Sequence, residues 1–549
     1  MKIIGKHSDW TIAIISIITF IILCYVPIIR NYSFVPSERF YIGSSPYPID
    51  LIGDLEVMQN GYEGKWSFQS KVTTWNADMP WQYKTIYILL GHVARLIRQD
   101  NLVVLTTATI LLSFLTLFCF YWFISRIFSD KTHRLFAFFL TLFYAGVLFP
   151  GEAWQPILTA IGKIESFTFV FERFTHVAPH YLLSYITSLL SFYFLSKAID
   201  RKQYVVSIGI SSLIAYLTML IYAPASFLFL MTFPFLSLYF LLLTIIQKNS
   251  FFDFLKKIVP LVCFTLASTV PFIHYLFIMS QTVVSAEWVI QFPFSAGEYF
   301  FVVGPIVVFI LCSIPFLLSK KTPTLILMLI SWAVMHPISL LVLEKFPLFS
   351  VKRIFSTPYI VILAILATYG ISFFLRNIKR CTSDLKRSVL FGTIGILTLF
   401  GGWNAYGLSW YNLTDCFCII APYPYGYPKK DVMNAIAWLK NNTTPSDVIL
   451  SGFHIGALIP AFSGNRVYFN YWMRLAEPPN MTEVLNDVIH FFQNSMTEEE
   501  AEQFVKIHNI SYVFTTDDDN DYQISSDATS YAFFTPVFSS NKTIIYKVK

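Results

Sequence analysis

Long apolar runs separated by short polar loops dominate this chain. Predominantly apolar stretches lie at 9–29, 102–125, 135–150, 177–197, 204–221, 225–246, 258–279, 298–318, 324–344, 358–375 and 388–408. Most are long enough for a helix to cross a hydrocarbon layer of about 30 Å. The pattern predicts about eleven transmembrane helices. The third run is short, and only Tyr222 to Pro224 separates the fifth from the sixth.

The polar residues between the runs set the orientation. One set of loops carries Arg126, Lys131 and Arg134; Lys197, Arg201 and Lys202; and Lys248, Lys256 and Lys257. Lys320 and Lys321 follow, then Arg376, Lys379, Arg380, Lys386 and Arg387, with Lys2 and Lys6 at the start. The short loops of the other set, 151–176, 280–297 and 345–357, hold only Lys163, Arg173, Lys345, Lys352 and Arg353. Basic residues mark the cytoplasmic face, so the N-terminus is expected inside and the C-terminus, after an odd number of spans, outside. Lys2 and Lys6 before the first run suit a signal peptide. Its apolar core is too long, however, and no A-x-A site follows, so it reads as an anchor.

Two larger regions then fall outside the membrane, the loop 30–101 and the tail 410–549, with 151–176 as a smaller third. The expected domains are therefore a multi-pass part, 1–409, and an extracytoplasmic α/β domain, 410–549. In the tail, "KDVMNAIAWLKNNT" has helical spacing and "DVILSG" reads as a short buried strand. "TEEEAEQFVKIHN" opens with a Thr cap and acids, then gives way to the strand "ISYVFTT". "FFTPVF" and "TIIYKVK" resemble a terminal hairpin, and "SGNR" a turn into the strand "RVYFN". In the outer loop, "DLIGDLEVMQ" predicts a short helix with Asp50 at its N-cap and a stop at Asn60-Gly61. Asp50 and Asp54, four apart, would share one face of it.

Composition agrees with this layout: 55% of residues are hydrophobic and 13% charged. The net charge of +6 hides an asymmetry, because the tail from Trp410 holds nine basic and fifteen acidic residues. The basic surplus thus belongs to the inner loops, and nucleic-acid binding is not implied. Seven cysteines show no metal-ligand spacing. Cys416 and Cys418 are too close for an unstrained bridge and read as ordinary thiols.

Ionisable groups gather at the outer membrane surface: Asp50, Asp54 and Glu56; Glu165; Glu172, Arg173, His176 and His180; and Arg353. The spans themselves are nearly free of charge, with His274 and His336 the main exceptions, and lone span histidines are usually hydrogen-bonded packing residues. An ion-coupled transporter places its acids or bases near the midplane instead. Sugar transfer from a lipid phosphate suits the observed arrangement. The phosphate needs cationic donors at headgroup depth, and the acceptor hydroxyl needs a carboxylate to take its proton.

Each residue has a second reading. Asp50 is a base, a helix cap, or both; Asp54 is a base or metal ligand, or a solvated face residue; Glu56 and Glu165 line the site or stand apart. His180, after Ala178-Pro179, donates to a phosphate, ligates a metal or makes an interfacial hydrogen bond. His176 and His180 are four apart, yet Pro179 interrupts the helix between them. Lys352-Arg353 binds phosphate or snorkels at a span end. Trp75, Trp81, Tyr83 and Trp288 read best as membrane-belt aromatics.

The order of parts resembles the GT-C superfamily of polyprenyl-phosphate-dependent glycosyltransferases, in its protein-mannosyltransferase-like and bacterial arabinosyl- and glucosyl-transferase-like branches. The likeness is carried by "PIDLIGDLEVMQNGYEGKW", "IESFTFVFERFTHVAPHYLL", "FSVKRIFSTPYIVILAILATYGI" and "AIAWLKNNTTPSDVILSGFHIGALIPAFSGNRVYF". It implies an α-helical polytopic protein of the cytoplasmic membrane, using a polyprenyl-phosphate sugar donor and a lipid, glycan or protein acceptor. It also implies a catalytic acid in the first outer loop, falling on Asp50 or Asp54, and a phosphate-binding arginine before a late span, falling on Arg353. A divalent metal, Mg or Mn, is compatible with it but not required. A flippase for a lipid-linked sugar and a non-catalytic glycan-binding relative are the competing readings.

Overall fold

The computed structural model describes residues 8–43, 48–71, 84–143, 179–200, 204–246, 250–280, 306–311, 322–346, 353, 357–377, 426–470, 481–518 and 531–549, with six scattered positions between 385 and 396. Its first helices are α1 (Ser8–Ser33), α2 (Pro48–Tyr62), α3 (Thr85–Ile97), α4 (Asn101–Ile127) and α5 (Lys131–Phe143). Next come α6 (Pro179–Ile199), α7 (Tyr204–Ile221), α8 (Ala223–Ile246) and α9 (Phe251–Ser280). The short α10 (Ile306–Leu311), then α11 (Thr324–Lys345) and α12 (Tyr359–Asn377), follow. The tail holds α13 (Lys430–Asn442), β1 (Val448–Leu450), α14 (Ile455–Phe462), β2 (Arg466–Val467) and α15 (Met481–Phe492). It ends with α16 (Glu498–Ile507), β3 (Ile510–Thr515), β4 (Phe534–Ser540) and β5 (Thr543–Val548).

Among the described residues, seven helices are long and apolar enough to cross a membrane: α1, α4, α6, α7, α8, α9 and α11. This is a multi-pass membrane protein. Each of these helices coincides with an apolar run of the sequence, and α12 covers the run at 358–375. The run at 135–150 is described only through α5, that at 298–318 only through α10, and the one at 388–408 lies almost wholly outside the described residues. A single non-helical residue, Tyr222, separates α7 from α8.

The chain divides into two compact units. One comprises the described residues of 1–25, 109–277 and 288–409; the other, those of 26–108, 278–287 and 410–549. The first is held by interlocking rings. Trp332 of α11 is fully buried, edge-on to Phe192 of α6 at 5.0 Å and 5.6 Å from Phe229 of α8. Phe264 of α9 meets Phe229 and Phe233, each at 5.1 Å. At the start of α1, buried Asp9 is matched by Arg134 at 2.9 Å and by the Tyr121 hydroxyl at 2.9 Å. His336 packs flat on Tyr359 at 5.0 Å.

In the second unit the outer loop and the tail are knit together. The sheet runs β2-β1-β3-β5-β4, with β1 parallel to β2 and β3 and the last three strands antiparallel. The expected helix, strands and hairpin of the tail are all present. Thr497 caps α16 in a full capping box with Glu500. The loop joins this domain through Arg39, which pairs with Asp518 at 3.1 Å, and through backbone bonds from Phe40 and Ile42 to Pro428 and Gly426.

The outer-loop helix differs from expectation at both ends. α2 begins at Pro48, a residue suited to the first helical position, so Asp50 lies inside the first turn and is not its cap. There its charge complements the helix dipole. The stop comes at Gly64, whose φ of 93° completes a Schellman motif: Lys65 N–H donates to the Asn60 carbonyl, and Gly64 N–H to that of Gly61. Gly61 has another task. A Cβ there would collide with the Ile88 carbonyl of α3, and one at Gly91 with the Met58 carbonyl of α2. These two glycines let α2 and α3 cross backbone to backbone. Gly61→Ala should destabilise this unit by about 1–3 kcal/mol, the usual cost of overpacking. Hydrogen exchange across 48–62 should accelerate and thermal unfolding should shift downward; unchanged exchange would contradict the close crossing.

Candidate functional site

α2 is buried along most of its length, and this decides what its acids can do. Asp50 is exposed. Asp54 and Glu56 are only 4% and 5% exposed. The shared face expected for Asp50 and Asp54 is therefore divided between solvent and interior, and Asp54 is not a solvated residue. An ionised carboxylate in the interior needs a partner, and Asp54 has one: Lys84 Nζ donates to its Oδ1 at 2.6 Å. Tyr87 adds a second hydrogen bond. Burial pushes the Asp54 carboxyl above its ordinary range; Lys84 and Tyr87 pull it back, while the nearby charge of Asp50 raises it.

Lys84 precedes α3 in the left-handed region, with φ of 51°, an uncommon state for a side-chain-bearing residue. It was not singled out from the sequence. A lysine thirty residues from its acid carries no local mark of the pairing.

Glu56 is satisfied differently. Its Oε1 accepts the backbone N–H of Lys71 at 2.7 Å. The Lys71 ammonium is itself buried, pairs with Glu63 and donates to the Gly464 carbonyl at 2.6 Å. Desolvation lowers the Lys71 pKa and pushes Glu56 up to about 7. Among the described residues, no group of three His, Cys, Asp or Glu side chains is placed to hold a metal ion. Asp54 and Glu56 face an ammonium and a backbone N–H, so these acids do not fit a Mg or Mn site.

The expected phosphate-binding residues lie in the other unit, where two come together. His180, at the second position of α6, lies 4.0 Å from the Tyr181 ring and 6.0 Å from that of Tyr222. The Tyr222 hydroxyl donates to the backbone carbonyl of Arg353 at 2.6 Å. His180 and Arg353 thus converge on one tyrosine. The sequence offered a signal for it, a polar-tipped ring at the break between two apolar runs, but there it served only to separate the spans. Glu165 and His176 lie outside the described residues, as do Lys352, Trp75, Trp81, Tyr83 and Trp288.

No protein-family model matches the chain, and no curated protein is similar to it in sequence. Solved structures are similar in fold. The apo oligosaccharyltransferase of Archaeoglobus fulgidus matches 93% of this chain over 70% of its own, with a TM-score of 0.55 at 12% identity. ArnT from Cupriavidus metallidurans, bound to undecaprenyl phosphate, matches 98% over 97%, with a TM-score of 0.51 at 9% identity. Both have the GT-C fold of polyprenyl-phosphate-dependent glycosyltransferases.

This chain has the GT-C fold.

The Archaeoglobus enzyme AglB, in complex with an inhibitory peptide and a dolichol-phosphate, gives the same result: a TM-score of 0.53 at 13% identity, over 93% of this chain and 70% of that one. Identities this low establish a GT-C architecture and leave residue roles to the geometry above.

Glu56 offers a pH test of that geometry. Below its ordinary value of 4.5, folded and unfolded chains both hold the proton. Between 4.5 and about 7 the unfolded chain releases a proton that the folded one keeps, so stability falls as pH rises, and the loss is complete above about 7. The span corresponds to about 3 kcal/mol at most. In Glu56→Gln the melting temperature relative to the parent protein should climb as pH rises from 4.5 to 8. A difference that stays constant with pH would show that Glu56 is not the buried acid described.

Proposed function

We propose that this protein is a membrane glycosyltransferase that moves a sugar from a polyprenyl-phosphate donor to a lipid, glycan or protein acceptor outside the cell. The observation that carries this reading is the GT-C fold, matched over nearly the whole chain by a protein bound to undecaprenyl phosphate. In this reading 1–409 is the multi-pass part and 410–549 an extracytoplasmic α/β domain. Loop 30–101 lies on the same outer side, and the N-terminus lies in the cytoplasm of a cell-membrane protein.

The chemistry asks three things of the chain. A carboxylate accepts the proton of the acceptor hydroxyl as its oxygen attacks the anomeric carbon. The bond from that carbon to the phosphate oxygen breaks, and polyprenyl phosphate departs with the electron pair. Cationic and hydrogen-bonding groups take up the charge that gathers on the phosphate. Attack opposite the leaving phosphate inverts the anomeric centre.

Two acids compete for the first role. Exposure favours Asp50, because Asp54 is already engaged by Lys84 and Tyr87. Asp54 with Lys84 then acts as a fixed pair beside it. Arg353 and His180 take the phosphate role, with Tyr222 setting the Arg353 backbone.

The test uses full-length protein in lipid nanodiscs with radiolabelled polyprenyl-phosphate hexoses and pentoses, read as release of polyprenyl phosphate. Asp50→Asn should lower kcat by about 10²–10⁴-fold with little change in KM, the range expected when a general base is lost. Arg353→Ala should lower kcat/KM. Transfer that survives in the Asp50→Asn, Asp54→Asn double variant would exclude both acids as the base. Inactivity on every donor, with donor movement across liposomes instead, would establish a flippase.

A further inference from the structure

The second unit contains a cavity lined jointly by the outer loop and the tail. It measures about 460 Å³ and opens where the parallel part of the sheet begins. Its lining includes the first residue of β2, Arg466, with Val448 of β1 and the His508-Asn509 approach to β3. The segment after α2, with Lys65 and Lys71, and the turn after α13, with Ser446, complete it. Three of its lining residues, Lys65, Lys71 and Arg466, are basic, and none is acidic.

We propose that this cavity binds an oxyanion-bearing saccharide, a sugar phosphate or a uronate, with Arg466 as its principal anchor. The anion follows from charge and geometry. Among the described residues, the Arg466 guanidinium has no hydrogen-bond or ion-pair partner, although it is half-buried. A planar guanidinium offers two parallel donors to a carboxylate or phosphate. The two lysines are partly answered by Glu63, which pairs with both and stands behind the lining. The carbonyl end of α16 also approaches the cavity at His508-Asn509 and disfavours an anion weakly. Neither opposes Arg466 directly, and a bidentate arginine contact outweighs a helix terminus.

The rest of the ligand follows from size and from the neutral groups. The volume lies in the range of small-molecule sites and far exceeds a bare anion. Ser446 and Asn509 supply hydroxyl and amide partners of the kind that sugar hydroxyls use. His508, 3.3 Å from the Tyr468 hydroxyl, has its pKa lowered by burial and serves as a neutral ring. The saccharide half of this assignment rests on the glycosyl-transfer reading, in which the occupant belongs to the acceptor or product glycan; the oxyanion half does not.

The experiment reads binding without turnover. Full-length protein in phosphatidylcholine nanodiscs, with no donor present, is titrated with glucose 6-phosphate, glucuronate and glucose by saturation-transfer NMR. Glucose 6-phosphate or glucuronate should bind, inorganic phosphate should compete, and Arg466→Gln should weaken binding by at least about tenfold. Arg466→Lys should restore part of the loss. The preference between phosphate and carboxylate tells the two sources apart. Should Arg466→Gln unfold, Lys65→Gln and a loss of binding between ~0.05 and ~0.5 M salt test the same claim. No binding of either anion, or glucose bound equally well and insensitive to Arg466, overturns it. Because no donor is present, anion binding in a protein inactive in transfer would sink only the enzymatic reading.

Discussion

A helix that buries carboxylates and amides stays folded only if every one of them is answered, and α2 is such a helix. Asp54, Glu56, Gln59 and Asn60 are all buried on it. Each is met from a different stretch of chain: Asp54 by Lys84 before α3, and Glu56 by the Lys71 backbone. Gln59 is met by the Asn101 amide at the start of α4, and Asn60 by the Gln69 N–H. Removing one partner would strand a buried polar group, which costs more than a single hydrogen bond is worth. The second unit therefore assembles around α2 as a whole or loses it as a whole. Gly61 and Gly91 make this feasible by letting α3 approach without side chains between the backbones.

The same helix ties the outer loop to the tail. Lys71 donates to the Gly464 carbonyl, and its own carbonyl accepts the Val467 N–H, so the segment after α2 runs beside β2. Gly464, at φ of 83°, sits where a Cβ would press on Gln59 and Glu63. Further along, Arg39 and Lys429 reach Asp518 and Asp517 just after β3. The acids of the first outer loop are thus held by a folded α/β layer. The backbone that carries Asp50 is thereby fixed, as the proposed role of proton acceptor requires.

What could be read beforehand follows physical periodicity. Apolar runs of membrane length are local, and the helices of the first unit fall on them. Thr497 with Glu500, and the short strand-forming runs of β3 and β5, are equally local. Three helices escaped. α3 and α14 mix apolar and small residues whose meaning depends on what they pack against, and α15 begins beside residues 471–480, which lie outside the described residues. Asp50 and Asp54 looked equivalent because spacing alone puts them on one face. Their difference comes from Lys84 and from burial against α3 and α14, which no spacing of acids along α2 can encode. Tyr222 was visible as a break in hydropathy, but its link to Arg353 spans more than a hundred residues of chain.

The unequal burial of the two acids has an electrostatic consequence. Two carboxylates one helical turn apart repel, and each raises the other's pKa when both are ionised. Lys84 lies directly on Asp54, so its positive charge offsets the inner acid and leaves Asp50 facing a nearly neutral pair. Asp50 is the exposed one of the two. It also sits in the first turn of α2, where a negative charge complements the helix dipole. Without Lys84, the buried charge would have to be neutralised by protonating Asp54, and the helix would lose the contact that fixes it to α3. In the proposed reaction, the exposed acid serves the chemistry and the buried one is committed to structure.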